Sequence, residues 1–293
     1  MFKDNNPLEV LVPHSIGEII SMKRKHPEAL FWAGGTYIMG SEENFGKEKV
    51  DSVISLAHVS ELSRITRNER YLEFGSMVPI QRLLEKGIFT LSEEARQAVG
   101  RIGTEIIRSK ATIGGSLCTE STRFYLSAIF SVLDAQVELR SVTKHSIAKW
   151  YSVSKIYDRD GNFIFKDKAL LTRIRFSSNY EPNQFFKIIG SPMKDPDNSV
   201  MFASQFSINQ TNISSIQLCL VFPSAGFHIS TEMENKIKSF ALPISPASIS
   251  SVADSFAKEI KTQHPKAKDL QVEKSKRLLM HILFEANSDY LAS

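Results

Sequence analysis

Two double-glycine turns constrain this chain more than any other feature of it. Ala33-Gly34-Gly35-Thr36 ends an apolar run, and Ala111-Thr112-Ile113-Gly114-Gly115-Ser116 opens onto a hydroxyl-rich stretch containing Thr119, Ser121 and Thr122. Glycine reaches backbone conformations closed to other residues and leaves main-chain N–H groups uncovered by a Cβ. Together the two turns are therefore expected to grip a bulky anion such as a dinucleotide pyrophosphate. Each taken alone also reads as backbone punctuation: a tight strand exit at the first, and a Ser/Thr loop bonding its own backbone at the second. The common phosphate loops are absent, because neither G-x-G-x-x-G nor G-x-x-x-x-G-K-[ST] occurs.

The chain around these turns reads as two blocks. At 293 residues, with 42% hydrophobic and 23% charged content, it is long enough for two cores. Leu8 to Val12 is a strand, and Ser15 with Glu18 forms a capping box that starts a helix with Ile16, Ile19 and Ile20 inward. Ala29 to Ala33, Val50 to Leu56 and Tyr71 to Phe74 are strands, and Pro79 opens a helix bearing Ile80, Leu83 and Leu84. Leu91 to Ile107 has helical spacing, and Leu126 to Leu133 is an apolar stretch. Val137 to Arg140 and Ala169 to Phe176 alternate as strands. The polar segment from Asn179 to Gln184 marks a boundary. Beyond it, Ser199 to Asn209, Ser215 to Phe222 and Gly226 to Ser230 predict an antiparallel sheet. Pro246 then starts a helix with Ile249, Val252, Phe256 and Ile260 on one stripe, and Val272 to Leu283 closes the chain.

Several classes of chemistry lack their residues. The 36 basic and 32 acidic residues are too nearly balanced to argue for a nucleic-acid partner. Cys118 and Cys219 are far apart and without a CxxC, so this chain alone ligates neither zinc nor an iron–sulfur cluster, and Cys118, beside the second turn, reads as an inert buried thiol ahead of a redox-sensitive one. The seven histidines are scattered, and neither G-x-S-x-G nor H-E-x-x-H occurs. The basic residues from Lys258 to Arg277 read as a solvated helical face, ahead of a docking surface for an acidic partner. The N-terminal residues lack an apolar signal core and no apolar stretch is long enough to span a bilayer, which suggests a cytoplasmic protein.

Phe31-Trp32-Ala33-Gly34-Gly35-Thr36-Tyr37-Ile38 resembles the first flavin loop of the FAD-binding medium subunits of molybdenum hydroxylases, the xanthine dehydrogenase and carbon monoxide dehydrogenase type. Ile107 to Gly115 resembles the second. Val53 to Leu56, Gly75-Ser76, Leu133 to Ser141 and Leu170 to Arg175 follow in the same order. The resemblance implies an α+β fold: a two-part FAD-binding domain of the vanillyl-alcohol oxidase and para-cresol methylhydroxylase type over 1–178, divided near 57, then a smaller α+β domain with an antiparallel sheet over 183–293. It implies FAD held by residues 31–38 and by Thr112, Ile113, Gly114, Gly115 and Ser116, with Ile102, Leu171 and Lys187 as further contacts.

It also implies a hetero-oligomer in which electrons pass from [2Fe–2S] clusters of a small subunit, through the flavin, to NAD or another acceptor. A large subunit carries molybdopterin, and the chain works as an oxidoreductase component. Some positions depart from the pattern. Ser116 replaces an asparagine, Tyr125 stands where an acidic residue is usual, and Ile188-Ile189 follow Lys187 in place of a basic pair. A diverged structural subunit with weak or no FAD binding, and a stand-alone flavin oxidoreductase, remain alternatives.

Overall fold

A computed structural model describes residues 8–40, 51–86, 91–119, 126–143, 147–177, 183–192 and 194–292. Val50, Ser121, Thr122, Tyr125 and positions 179–182 of the boundary segment lie outside these.

The first unit is a small parallel sheet. Strands β1 (Glu9–Leu11), β2 (Leu30–Trp32) and β3 (Ser52–Ser55) lie in the order β1-β3-β2. Helix α1 (Ile16–Lys25) crosses between β1 and β2. Ser15 Oγ accepts from Glu18 N at 3.2 Å, and Glu18 Oε2 accepts in return from His14 N at 2.8 Å, one residue earlier than the capping box predicts. Ile19 and Ile20 are buried, and so is Lys23, one turn on from Ile19. A local core of Ile19, Ala29, Ile54, Leu56, Val59 and Leu62 holds the unit together.

The chain then builds an antiparallel sheet from β4 (Ile65–Arg67), β5 (Tyr71–Gly75), β6 (Gln136–Ser141), β7 (Ala148–Ser152) and β8 (Ala169–Ser177), in the order β4-β5-β8-β6-β7. Its helices come from the long insertion between β5 and β6: α2 (Ile80–Lys86), α3 (Glu93–Gly100), α4 (Glu105–Arg108), α5 (Ile113–Cys118) and α6 (Leu126–Val132).

The single helix expected over Leu91 to Ile107 is broken. Gly103 adopts φ +58°, a left-handed conformation open to glycine, and Thr104 then caps a new helix by accepting from Ile107 N at 3.3 Å. The break turns Ile106 outward, where it is 79% exposed.

A second antiparallel sheet follows, in the order β12-β11-β10-β9: β9 (Asn183–Ile189), β10 (Val200–Asn209), β11 (Asn212–Phe222) and β12 (Gly226–Ile229). Helices α7 (Thr231–Lys238), α8 (Pro246–Gln263) and α9 (Asp269–Ala292) complete the chain. On α8 the expected stripe is buried: Ile249, Val252, Phe256 and Ile260.

This sheet is apolar on both faces. Phe202, Leu218 and Leu220 lie on the face that meets α7 and α9, whereas Met201, Ala203, Cys219 and Val221 join the core of the five-stranded sheet. Helix α6, every residue of which is buried, packs in that second core. The fold is thus mixed α and β with antiparallel sheets, as the sequence indicated.

Candidate functional site

The first double-glycine turn leaves β2 where Trp32 O accepts from Leu56 N at 3.0 Å. Gly35 takes φ +67°, and its carbonyl accepts from Met39 N at 2.9 Å to start a short 3₁₀ turn over Ile38–Gly40. Among the described residues, the main-chain N–H groups of Gly34, Gly35 and Thr36 donate to no protein acceptor. Residues 31–38 are all half-buried. Successive unpaired N–H groups around a left-handed glycine form a concavity that suits an anion, so the turn fits a pyrophosphate.

The second turn is built differently. Thr112 caps α5, its Oγ1 accepting from Gly115 N at 3.0 Å, while its carbonyl accepts from Ser116 N at 3.0 Å. Ile113 N donates to Val78 O at 3.0 Å and Gly114 N to Ser76 O at 2.8 Å. The N–H groups of residues 113–116 are thus all engaged within the protein, contrary to the expectation that both turns present free donors. The physical reason is docking: the start of α5 lies against the turn after β5, with Thr112 bridged to Pro79. What this turn can still offer an anion is a hydroxyl, since Ser116 Oγ has no partner among the described residues and is half-buried. Thr119 Oγ1 is already given to Gly115 O at 2.7 Å.

Glycine brings the two turns together. A Cβ on Gly34 would strike the carbonyl of Lys110, and one on Gly115 would sit 3.6 Å from Ala33 Cβ. A Cβ on Gly114 would lie 2.6 Å from Ser76 Cβ. The glycines therefore clear space for neighbouring backbone, and the two turns form one contact.

Of the other expected contacts, Ile102, Ile113 and Leu171 share the central apolar cluster, with Leu171 opposite Leu139 in the ladder. Lys187 lies exposed on edge strand β9, opposite Phe202, and has no ion-pair partner among the described residues. Its strand packs against α3, the helix that leads to Ile102.

Side chains that the sequence reading passed over shape the site. Lys23 is buried, its Nζ 2.6 Å from Pro27 O, 2.9 Å from Ala29 O and 2.9 Å from Asp167 Oδ1, and 5.4 Å from the centre of the Phe31 ring. Its place one turn beyond the inward Ile19 was the available signal. Arg108 donates to Gly100 O at 2.7 Å, Gly103 O at 2.9 Å and Gln81 Oε1 at 3.1 Å, fixing the break that precedes the second turn. Ser76 Oγ is buried without a partner beside Gly114. Burial pushes the Cys118 thiol up to about 12, so it is not a nucleophile at neutral pH.

The FAD binding domain in molybdopterin dehydrogenase is matched over residues 6–177. The chain belongs to this FAD-binding family. Aldehyde oxidase 2 of Cavia porcellus is 27% identical over 139 residues, 44% of this chain and 10% of that protein, so the chain spans only a small part of that relative. Quinoline 2-oxidoreductase from Pseudomonas putida 86 superposes with a TM-score of 0.78 at 16% identity, over 97% of this chain and 98% of that one. Carbon monoxide dehydrogenase from Hydrogenophaga pseudoflava gives 0.77 at 14% identity, again over 97% and 98%. These likenesses show the fold. The matched FAD-binding domain holds both glycine turns.

Proposed function

We propose that this chain is the FAD-carrying electron-transfer subunit of a molybdenum hydroxylase complex. In this reading it takes electrons from [2Fe–2S] clusters on a small partner subunit and passes them to NAD or another acceptor, while a large partner carries molybdopterin. The flavin supplies the redox chemistry when bound. The protein's part is to hold and orient it, with residues 1–178 as the flavin domain and 183–293 as the C-terminal domain.

The observation that carries this reading is the row of unpaired N–H groups at Gly34, Gly35 and Thr36, set against a second turn that glycine allows to approach. Those N–H groups hold the pyrophosphate. Ser116 adds a hydroxyl, Phe31 to Ile38 wrap the phosphates, and Ile102, Ile113 and Leu171 support the site from within the buried apolar cluster. Among the described residues no helix is long and apolar enough to cross a membrane, in keeping with a cytoplasmic complex.

The visible spectrum of the purified chain tests the proposal. It is expected to show bound flavin, identified as FAD after denaturation. A colourless protein that also fails to take up added FAD overturns it. The internally engaged second turn favours one rival, a structural subunit that keeps the fold with weakened flavin binding, and that colourless result is what the rival predicts.

A further inference from the structure

The outer face of the five-stranded sheet carries a charge arrangement for which flavin binding has no use. Where the β6–β8 register shifts from Glu138↔Arg173 to Leu139↔Leu171 it skips Thr172, and this bulge brings Thr172 Oγ1 2.6 Å from Glu138 Oε1. Glu138 also accepts from Arg173 Nη2 and lies 3.4 Å from Arg140 Nε. Arg173 Nη1 reaches Glu73 at 3.2 Å. Burial raises the affinity of Glu138 for a proton, but the bonds from Arg173 and Thr172 and the charges of Arg173 and Arg140 outweigh it, holding the carboxyl below its usual range.

The two signs lie at different depths. The Glu138 and Glu73 side chains are 3% and 14% exposed, against 42% for Arg173 and 34% for Arg140. Carboxylates underneath fix the guanidiniums on top, so what meets solvent is cationic. On the same face Arg175 lies between the Trp150 ring at 4.0 Å and the Tyr71 ring at 4.2 Å, with Nε and Nη2 on Gln136 Oε1. Beside this stack opens a cleft of about 290 Å³ whose wall carries three guanidiniums, Arg64, Arg140 and Arg173, and three carboxylates, Glu61, Glu73 and Glu138, two of which, Glu73 and Glu138, are taken up by Arg173 and Arg140. Among the described residues the Arg64 guanidinium has no hydrogen bond or ion pair.

The geometry points to this face as a docking surface for an acidic segment of a partner subunit, one carboxylate entering the cleft against Arg64 and Arg140 while planar groups lie on the Tyr71–Arg175–Trp150 stack. Arg, Tyr and Trp are the side chains that dominate interface energetics. Arg140, held by Glu138, loses little freedom on pairing, while Arg64 brings a guanidinium that no described carboxylate neutralises, and both complement an incoming carboxylate. The inference rests on the assembly proposed above.

The test compares tagged wild-type chain with Arg64→Glu and Glu61→Lys, each in the native complex, with partners identified by mass spectrometry and by bound iron and molybdenum. Arg64→Glu is expected to keep flavin content and melting temperature while lowering partner affinity at least tenfold at low salt. Glu61→Lys is expected to tighten binding, and high salt to erase both effects. A complex that assembles equally well with Arg64→Glu overturns the docking surface and leaves the assembly standing, whereas a wild-type chain that recovers no partner overturns both. Binding of inorganic phosphate, or self-association, that Arg64→Glu abolishes while partner binding is untouched reassigns the face and also overturns the proposal.

Discussion

At the scale of single residues, the glycines of the flavin turns act on the protein before they act on any ligand. A methyl on Gly114 meets Ser76 Cβ, O and Cα at 2.6 to 3.1 Å, and Gly114 N is bonded to Ser76 O, so neither side can yield. Gly114→Ala is therefore expected to destabilise flavin-free protein by about 1–3 kcal/mol, the usual range for overpacking, seen as a lower melting temperature. An unchanged melting temperature would show that the contact between Gly114 and Ser76 can relax. The buried pair His228 and His264 gives a second prediction. Their rings are joined by a 3.2 Å contact between Nδ1 and Nε2. Desolvation, with the neighbouring His264 charge, lowers His228 to about 3, and burial lowers His264 as well. Among the described residues, Glu259 Oε1, 3.8 Å from His228 Nε2, and Asp160 and Arg159, near His264, are charged groups that face the pair. Because the folded state holds His228 neutral, its contribution to stability is complete above the unfolded value of 6.5 and is lost as pH falls from there toward 3. Melting temperature should decline across that window in wild type, and less steeply in His228→Asn, which keeps a donor near the position of Nδ1.

Elements show what the sequence could and could not disclose. The stripe on α8 and the β3, β5, β6 and β8 runs were legible because burial on one face imposes a period on side chains. Strand β4 has only three residues, β7 shows no alternation between buried and exposed positions, and β9 opens inside the polar segment read as a boundary, so none imposes a period that registers. The break between α3 and α4 was hidden for another reason. Helical spacing continues through Gly103 although its backbone does not, and Arg108 holds the resulting corner from outside the periodic run. Arg108→Leu should accordingly speed amide hydrogen exchange over residues 100–110 while leaving α8 protected. Equal protection in the variant would show that the corner holds without the guanidinium. The site itself was half legible: the turns could be read locally, but whether their N–H groups are free depends on Ser76 and Val78, more than thirty positions away. Thr112→Ala should lower stability by about 1 kcal/mol, as loss of an N-cap does, and the measurement is a denaturant midpoint.

For the whole molecule the decisive feature is the sharing of one core by two sheets. Met201, Ala203, Cys219, Val221 and Phe227 of the C-terminal sheet pack into the same cluster as Phe74, Ile129, Phe130 and Ile174, and α6 is buried along its full length there. Removing the C-terminal block would expose that helix and strip one wall from the flavin domain. The two parts should therefore unfold together, although a chain of 293 residues can divide into independent units. The sequence supplies its own reporters. Both tryptophans, Trp32 and Trp150, lie before residue 178, whereas the long helices α8 and α9 lie after it and weigh heavily in far-ultraviolet circular dichroism. Denaturation followed by tryptophan fluorescence and by circular dichroism should give coincident transitions, and the fragment 1–178 should bind a hydrophobic dye and fail to melt cooperatively. Two separated transitions, or a cooperative fragment, would mean that the shared cluster does not couple the sheets and that the flavin turns are supported by the first block alone.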